Sequence, residues 1–194
     1  MKQRCWWCGD DPLYTEYHDD EWGVPLHDDQ QLFEMLLLEG FQAGLSWIII
    51  LRKRDNFRKA FRSFDPQKIA RFTPADIERL MNDTGIVRNR LKVEGSVKNA
   101  RAYLEILDGG GTFDDFLWQF TDYATLRRPA LTRTDVPSKT PESDRMSKEL
   151  LRQGFTFVGS TICYAFMQAV GMVDDHVQGC WKNPETGGAA ATSH

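Results

Sequence analysis

No stretch of this chain is apolar for long enough to cross a bilayer. Its longest apolar runs, such as Trp47 to Leu51, fall far short of the roughly 20 residues a spanning helix needs. No hydrophobic leader follows Met1-Lys2-Gln3-Arg4-Cys5, so the expectation is a cytoplasmic protein with no membrane partner. Convincing period-two alternation is missing, which argues against strand-built folds, and no internal repeat points to a solenoid. An excess of basic charge is missing too. The 24 Lys and Arg residues stand against 28 Asp and Glu, a net charge of −4. Global charge therefore gives no reason to expect nucleic acid. Cysteine is sparse, at four residues. In a cytoplasmic setting, metal ligation is then a stronger reading than disulfides.

What remains is a chain of 194 residues, 41% hydrophobic and 27% charged, sized for one domain with its own core. The pattern is helical nearly throughout, so the fold class is all-α. Asp28 and Asp29 are caps for an apolar helix through Leu32, Phe33 and Met35 to Leu38. Ser46 is placed to cap the next helix. Asp65-Pro66 and Thr73-Pro74-Ala75-Asp76 each start a helix with proline at the first position. Gly85 breaks the chain before a long helix with Val93, Val97, Ala100, Leu104 and Leu107 at helical spacing, ended by Gly109-Gly110-Gly111. Phe113 to Phe120 reads as a short aromatic helix. Residues 121–142 read as a loop, Ser143 as the cap of a further helix, and Thr161 to Gly171 as the last helix. Residues 185–194 are expected to be disordered. The segment from Cys5 to His18 shows little regular structure of its own.

Local charge is richer than net charge. Arg52-Lys53-Arg54 with Arg58, Lys59 and Arg62 is one basic cluster; Arg88, Arg90 and Lys92 form another. Such clusters are usually solvated helix faces, yet one basic face suffices for DNA. Metal-ligating types gather at the chain ends: Cys5, Cys8 and His18 at one, His176 and Cys180 at the other. His176 and Cys180 share a face if that segment is helical. Five candidates compete for four places in a closed tetrahedral zinc site, and composition does not choose between Cys5 and Cys8. Cys163 reads as core.

Rings crowd the first 47 residues: Trp6, Trp7, Tyr14, Tyr17, Trp22 and Trp47. Most aromatics are core, but segments such as Tyr14-Thr15-Glu16-Tyr17-His18-Asp19 are too polar for that. A pocket that stacks a flat base needs such rings. Glu39 closes the most apolar helix, where negative charge opposes the helix dipole. It is either an exposed end residue or a carboxylate held in a dry pocket for a cation or a donor edge.

Several runs resemble the type I DNA-3-methyladenine glycosylase family. They are Asp11-Pro12-Leu13-Tyr14 with Tyr17-His18-Asp19 and Glu21-Trp22-Gly23-Val24-Pro25; Leu38-Glu39-Gly40-Phe41-Gln42-Ala43-Gly44-Leu45-Ser46-Trp47; Phe155 to Ala169; and Asp175-His176-Val177-Gln178-Gly179-Cys180. The resemblance spans residues 4–183. It implies a helix-hairpin-helix glycosylase fold over residues 1–184, with the helix-hairpin-helix at about 74–107 and the hairpin around Gly85. It implies one structural zinc per chain on Cys5, His18, His176 and Cys180, with Cys8 spare. It implies a base pocket of Glu39, Tyr17, Trp22 and Trp47, with Trp7 and Tyr14 nearby. The implied substrate is duplex DNA carrying 3-methyladenine, with 3-methylguanine second, acted on by a monomer. The implied products are free base and an abasic site. Gly85, Arg88 and Arg90 are then candidate contacts to the DNA backbone, and Gly44-Leu45 a candidate wedge. Many helix-hairpin-helix glycosylases carry a catalytic aspartate after the hairpin; here the long helix holds none before Asp108.

Two rivals belong to other classes. A DNA-binding hairpin module without chemistry would not need Glu39 or the rings. A zinc deaminase would need a glutamate in H-x-E spacing, which His18-Asp19-Asp20 lacks.

Overall fold

A short polar side chain followed by proline starts four of the helices. Asp11-Pro12, Asp65-Pro66, Thr73-Pro74 and Thr140-Pro141 each satisfy free first-turn amides with a side-chain oxygen and place proline where no amide is missed. The structure, a computed structural model, describes residues 2–128, 131–183 and 185. The helices are α1 (Pro12–Asp20), α2 (Asp29–Gln42), α3 (Trp47–Ala60), α4 (Pro66–Ile69), α5 (Pro74–Met81), α6 (Arg90–Asp108), α7 (Phe113–Trp118), α8 (Pro141–Arg152) and α9 (Ser160–Ala169). The 3-10 turns Arg62–Phe64 and Gln119–Thr121 extend α3 and α7.

Helix α2 is the axis of the core. Leu32 to Phe41 are all buried along it, and it packs against α3, α6, α7 and α9. A helix apolar on all sides needs neighbours on all sides. Helices α5 and α6 pack together across the connection 82–89. Among the described residues, no helix is long and apolar enough to cross a membrane.

The all-α reading stands, with local corrections. The segment before His18 is irregular only as far as Asp11, which caps α1 by accepting from the amides of Leu13 and Tyr14. The cap of α8 is Thr140 rather than Ser143; the two form a reciprocal capping box. Asp28 caps α2, whereas Asp29 reaches across to accept from the amides of Phe113 and Asp114, capping α7. Ser46 occupies the cap position of α3 without a side-chain hydrogen bond. The last helix begins at Ser160 and ends at Ala169. The expected loop 121–142 contains one two-residue strand, β1 (Leu126–Arg127), which pairs in parallel with β2 (Val173–Asp174). Such a pairing is too short to leave a period-two signal. The expectation of a disordered tail lies, beyond Glu185, outside the described residues.

Candidate active-site cavity and Cys/His cluster

Three turns of chain bring the polar-segment rings to one place. Helix α1 carries Tyr14 and Tyr17, the segment before it carries Trp6 and Trp7, and the turn after it carries Trp22. Helix α3 opens with Trp47, and the last turns of α2 present Glu39. These residues, with Gln42, Val136, Ala165, Gln168 and Asp175, line a cavity of about 200 Å³. That is smaller than the roughly 300–1,000 Å³ of drug-sized pockets, so its occupant is a single ring system. Trp7 sits at the centre of the ring cluster, 5.0 Å from both Tyr14 and Trp22 between centroids; Tyr17 lies 5.6 Å from Trp47.

Glu39 is buried, at 3% exposure, although Gln42 and not Glu39 ends the helix. Its Oε2 has no hydrogen-bond partner, and neither has the Trp47 Nε1. Burial alone pushes the Glu39 carboxyl up to about 8. Native cores rarely leave such groups unpaired, since each costs about 1–3 kcal/mol. A carboxyl and an indole N–H left open beside stacked rings suit a flat heterocycle with donors and acceptors on its edge. Asp175 is a third such group. Its Oδ2 accepts from the Tyr164 hydroxyl and from Gln168 at 2.9 Å, while Oδ1 is unpartnered. Gln168 and Asp175 were not singled out in the sequence, although both lie inside family-like runs. A polar residue on a helix otherwise full of apolar side chains was the available signal for Gln168.

Beside the cavity, Cys5, His18 and Cys180 bring one ligand atom each to within 4.8 Å of one another, all three residues buried. The Cys180 thiol is held below its ordinary value, chiefly by the hydrogen bond from the Cys5 thiol and then by His18, so its thiolate form is favoured. His18 Nδ1 lies 2.9 Å from Asp19 and His176 Nδ1 lies 2.7 Å from Asp174. A carboxylate behind each imidazole is the usual support of a metal-ligating histidine. His176 is not among the three clustered atoms, but its ring meets that of His18 edge-on at 5.2 Å and its buried Nε2 has no partner. Two thiols and two backed imidazoles, one of them with an orphaned ring nitrogen, fit a tetrahedral zinc. Cys8 stands apart, its thiol donating to the Cys5 carbonyl. The segment 175–180 is not helical, so a turn rather than a helix face brings Cys180 to His18. Rings join cluster to cavity: Trp7 packs on His18 at 5.3 Å and Trp22 on His176 at 4.7 Å.

The remaining candidates lie outside the cavity. Leu45 is exposed in the turn between α2 and α3. Gly85 sits in the α5–α6 connection, where its amide donates to Asp83 and Lys53 donates to its carbonyl. Arg88 is exposed; Arg90 is committed to Glu78 at 2.6 Å.

The methyladenine glycosylase family model matches residues 7–183. DNA-3-methyladenine glycosylase 1 of Escherichia coli is 52% identical over 182 residues, 94% of this chain and 97% of that protein. A crystal structure of a 3-methyladenine DNA glycosylase I superposes with a TM-score of 0.92 at 50% identity, covering 94% of this chain and all of that one. A variant of 3-methyladenine DNA glycosylase I, crystallised in complex with 3-methyladenine, superposes at 0.88 and 36% identity, over 92% of this chain and 97% of its own. The chain belongs to the methyladenine glycosylase family.

Proposed function

We propose that this protein excises 3-methyladenine from alkylated duplex DNA, leaving an abasic site. The observation that carries the reading is the cavity itself: a ring-lined space for one heterocycle, holding a buried, unpartnered carboxyl and an unpartnered indole N–H. The relatives' shared name and the bound 3-methyladenine in one of them support the same substrate.

An N3-alkylated adenine in DNA is a cation, so its glycosidic bond is already weak. The C–N bond breaks with its electron pair going to the base, which becomes neutral; water supplies the hydroxyl at the sugar carbon and gives up a proton to solvent. No group need protonate the leaving base. The protein's work is to select, extract and hold it. Flipping costs a few kcal/mol, offset by stacking and backbone contacts. Electron-rich rings favour the cation over neutral adenine by about 0.5–2 kcal/mol per well-placed ring. Tyr17, Trp22 and Trp47, with Trp7 and Tyr14, supply those faces. Glu39 accepts from the exocyclic amine, and an incoming cation draws the proton off its raised carboxyl. 3-Methylguanine is the second and weaker substrate.

The α5–α6 pair acts as the helix-hairpin-helix, with Gly85, Arg88 and Arg90 toward DNA phosphates. Leu45, exposed beside Trp47, is the wedge. A structural zinc on Cys5, His18, His176 and Cys180 ties the two chain ends together; four protein ligands leave no place for water, so it supplies support rather than chemistry. The chain acts as a cytoplasmic monomer, residues 1–184 forming one unit. Incubation with methylated duplex DNA and analysis of the released bases tests the reading: free 3-methyladenine supports it, and a deaminated base or no product refutes it.

A further inference from the structure

A lysine is seldom buried without a carboxylate, because an unpaired ammonium is costly in a dry environment. Lys92, the third residue of α6, is 8% exposed, and among the described residues no acidic group pairs with it. Burial lowers its pKa. Its Nζ donates instead to two backbone carbonyls, those of Phe41 at 3.0 Å and Ala43 at 3.1 Å. These are orphan carbonyls at the C-terminal end of α2, where a cation is favoured by the helix dipole.

The position of that bond matters. Phe41 and Ala43 lie two and four residues after Glu39 in the chain. Beyond them, Gly44 turns at φ +84° and Leu45 closes the turn by donating to the Gln42 carbonyl at 2.6 Å. Trp47 then opens α3. The turn that Lys92 holds therefore lies between Glu39 and Trp47, two of the three residues with unpartnered atoms in the cavity. At its own end, Lys92 sits in the first turn of α6, whose cap is Asn89 and whose flanking cations are Arg88 and Arg90. One side chain thus joins the start of α6 to the turn that links Glu39 on α2 to Trp47 on α3.

We propose that Lys92 is a positioning residue that couples the grip of α6 on the DNA backbone to the Glu39–Trp47 turn, so that a base extracted from held DNA meets the cavity in register. The inference rests on the glycosylase reading and adds a role for a residue that touches neither base nor phosphate. Free base reaches the cavity without any DNA being held, so it should not sense Lys92. Base still attached to DNA should.

The test compares parental protein with Lys92→Met in three measurements: single-turnover base release from methylated duplex at saturating protein, binding of free 3-methyladenine, and binding of undamaged duplex against salt. In Lys92→Met, release should fall about 10- to 100-fold, the scale of a misplacement of about an ångström. Free-base affinity and the salt slope should stay near parental. Lys92→Arg, which keeps charge and donors, should recover much of the rate. If Lys92→Met does not fold, Lys92→Gln, which retains a donor, should show the same split. Unchanged release in a folded variant overturns the inference. So does a fall in free-base affinity matching the fall in release, which would make Lys92 a local prop of the cavity. A parental protein that releases no base overturns the glycosylase reading, and this inference with it.

Discussion

Gly23 leaves the space that the His176 ring fills. A methyl group on Gly23 would lie 2.7 Å from His176 Cε1, and the backbone there is left-handed, at φ +77°. The Gly23 amide donates to the Gln168 carbonyl at 3.1 Å, which fixes the turn against α9. Gly23→Ala therefore faces two costs: left-handed strain of about 1–2 kcal/mol, and displacement of an imidazole proposed to hold zinc. The expected result is a lower melting temperature together with less zinc per chain. Parental metal content and stability in this variant would detach Gly23 from the metal site.

Metal analysis distinguishes the spare Cys8 from the proposed ligand Cys180. Cys8→Ala should retain one zinc per chain, because the Cys8 thiol is occupied with the Cys5 carbonyl and stands outside the cluster. Cys180→Ala should lose zinc, melt earlier and bind base more weakly, since His18 and His176 pack directly on Trp7 and Trp22. Residual base release should persist, because Glu39 and Trp47 stand on α2 and α3. Loss of zinc from Cys8→Ala but not from Cys180→Ala would reverse the ligand set.

These outcomes depend on features with unequal traces in the sequence. Two helix starts, Asp65-Pro66 and Thr73-Pro74, were legible because a cap and a proline act locally; Thr73 with Asp76 needed no tertiary knowledge. Glu39 was legible as an anomaly, a carboxylate ending an apolar run, but its burial follows from α2 being surrounded on all sides. The caps failed where the partner was remote: Asp29 serves α7, across 84 positions of chain. Helix α1 escaped notice because its rings follow no apolar stripe; they face a cavity rather than the core. Asp175 was visible only inside a family-like run and Lys92 only as one of a basic cluster, since their meaning lies in bonds to Tyr164 and to the end of α2.

Arg90 meets DNA phosphates only in competition with Glu78, which holds it at 2.6 Å in the free protein. Both side chains are about half exposed, so the pair contributes little to stability. Replacing Arg88 and Arg90 by alanine should weaken binding to any duplex and reduce the salt slope by about one per lost phosphate contact. Glu78→Gln should have the opposite effect, releasing Arg90 and steepening the slope. Equal slopes in all three proteins would move the DNA away from the α5–α6 connection.

Glu39 makes a prediction about pH with a definite sign. Its carboxyl is raised from an ordinary value of 4.5 to about 8 by burial. Between those values the folded protein holds a proton that the unfolded chain releases. The stability contributed by the neutral form is therefore complete below about 4.5 and is lost as pH rises toward 8, by at most about 1.36 kcal/mol per pH unit. Glu39→Gln has no proton to lose. Its melting temperature should approach or exceed the parental value increasingly from pH 5 to 8, with the gap levelling above that. Function should run the other way. A cationic base is best met by the ionised carboxylate, so kcat/KM on methylated duplex should climb with pH toward the free-protein value near 8. Glu39→Gln should lack that rising limb, releasing base at a rate near the parental one at low pH and falling far behind it as pH approaches 8. Thermal melts and single-turnover rates across this range, measured on both proteins, decide the matter. Parallel profiles in the two would place the titrating group elsewhere and leave Glu39 as a silent wall of the cavity.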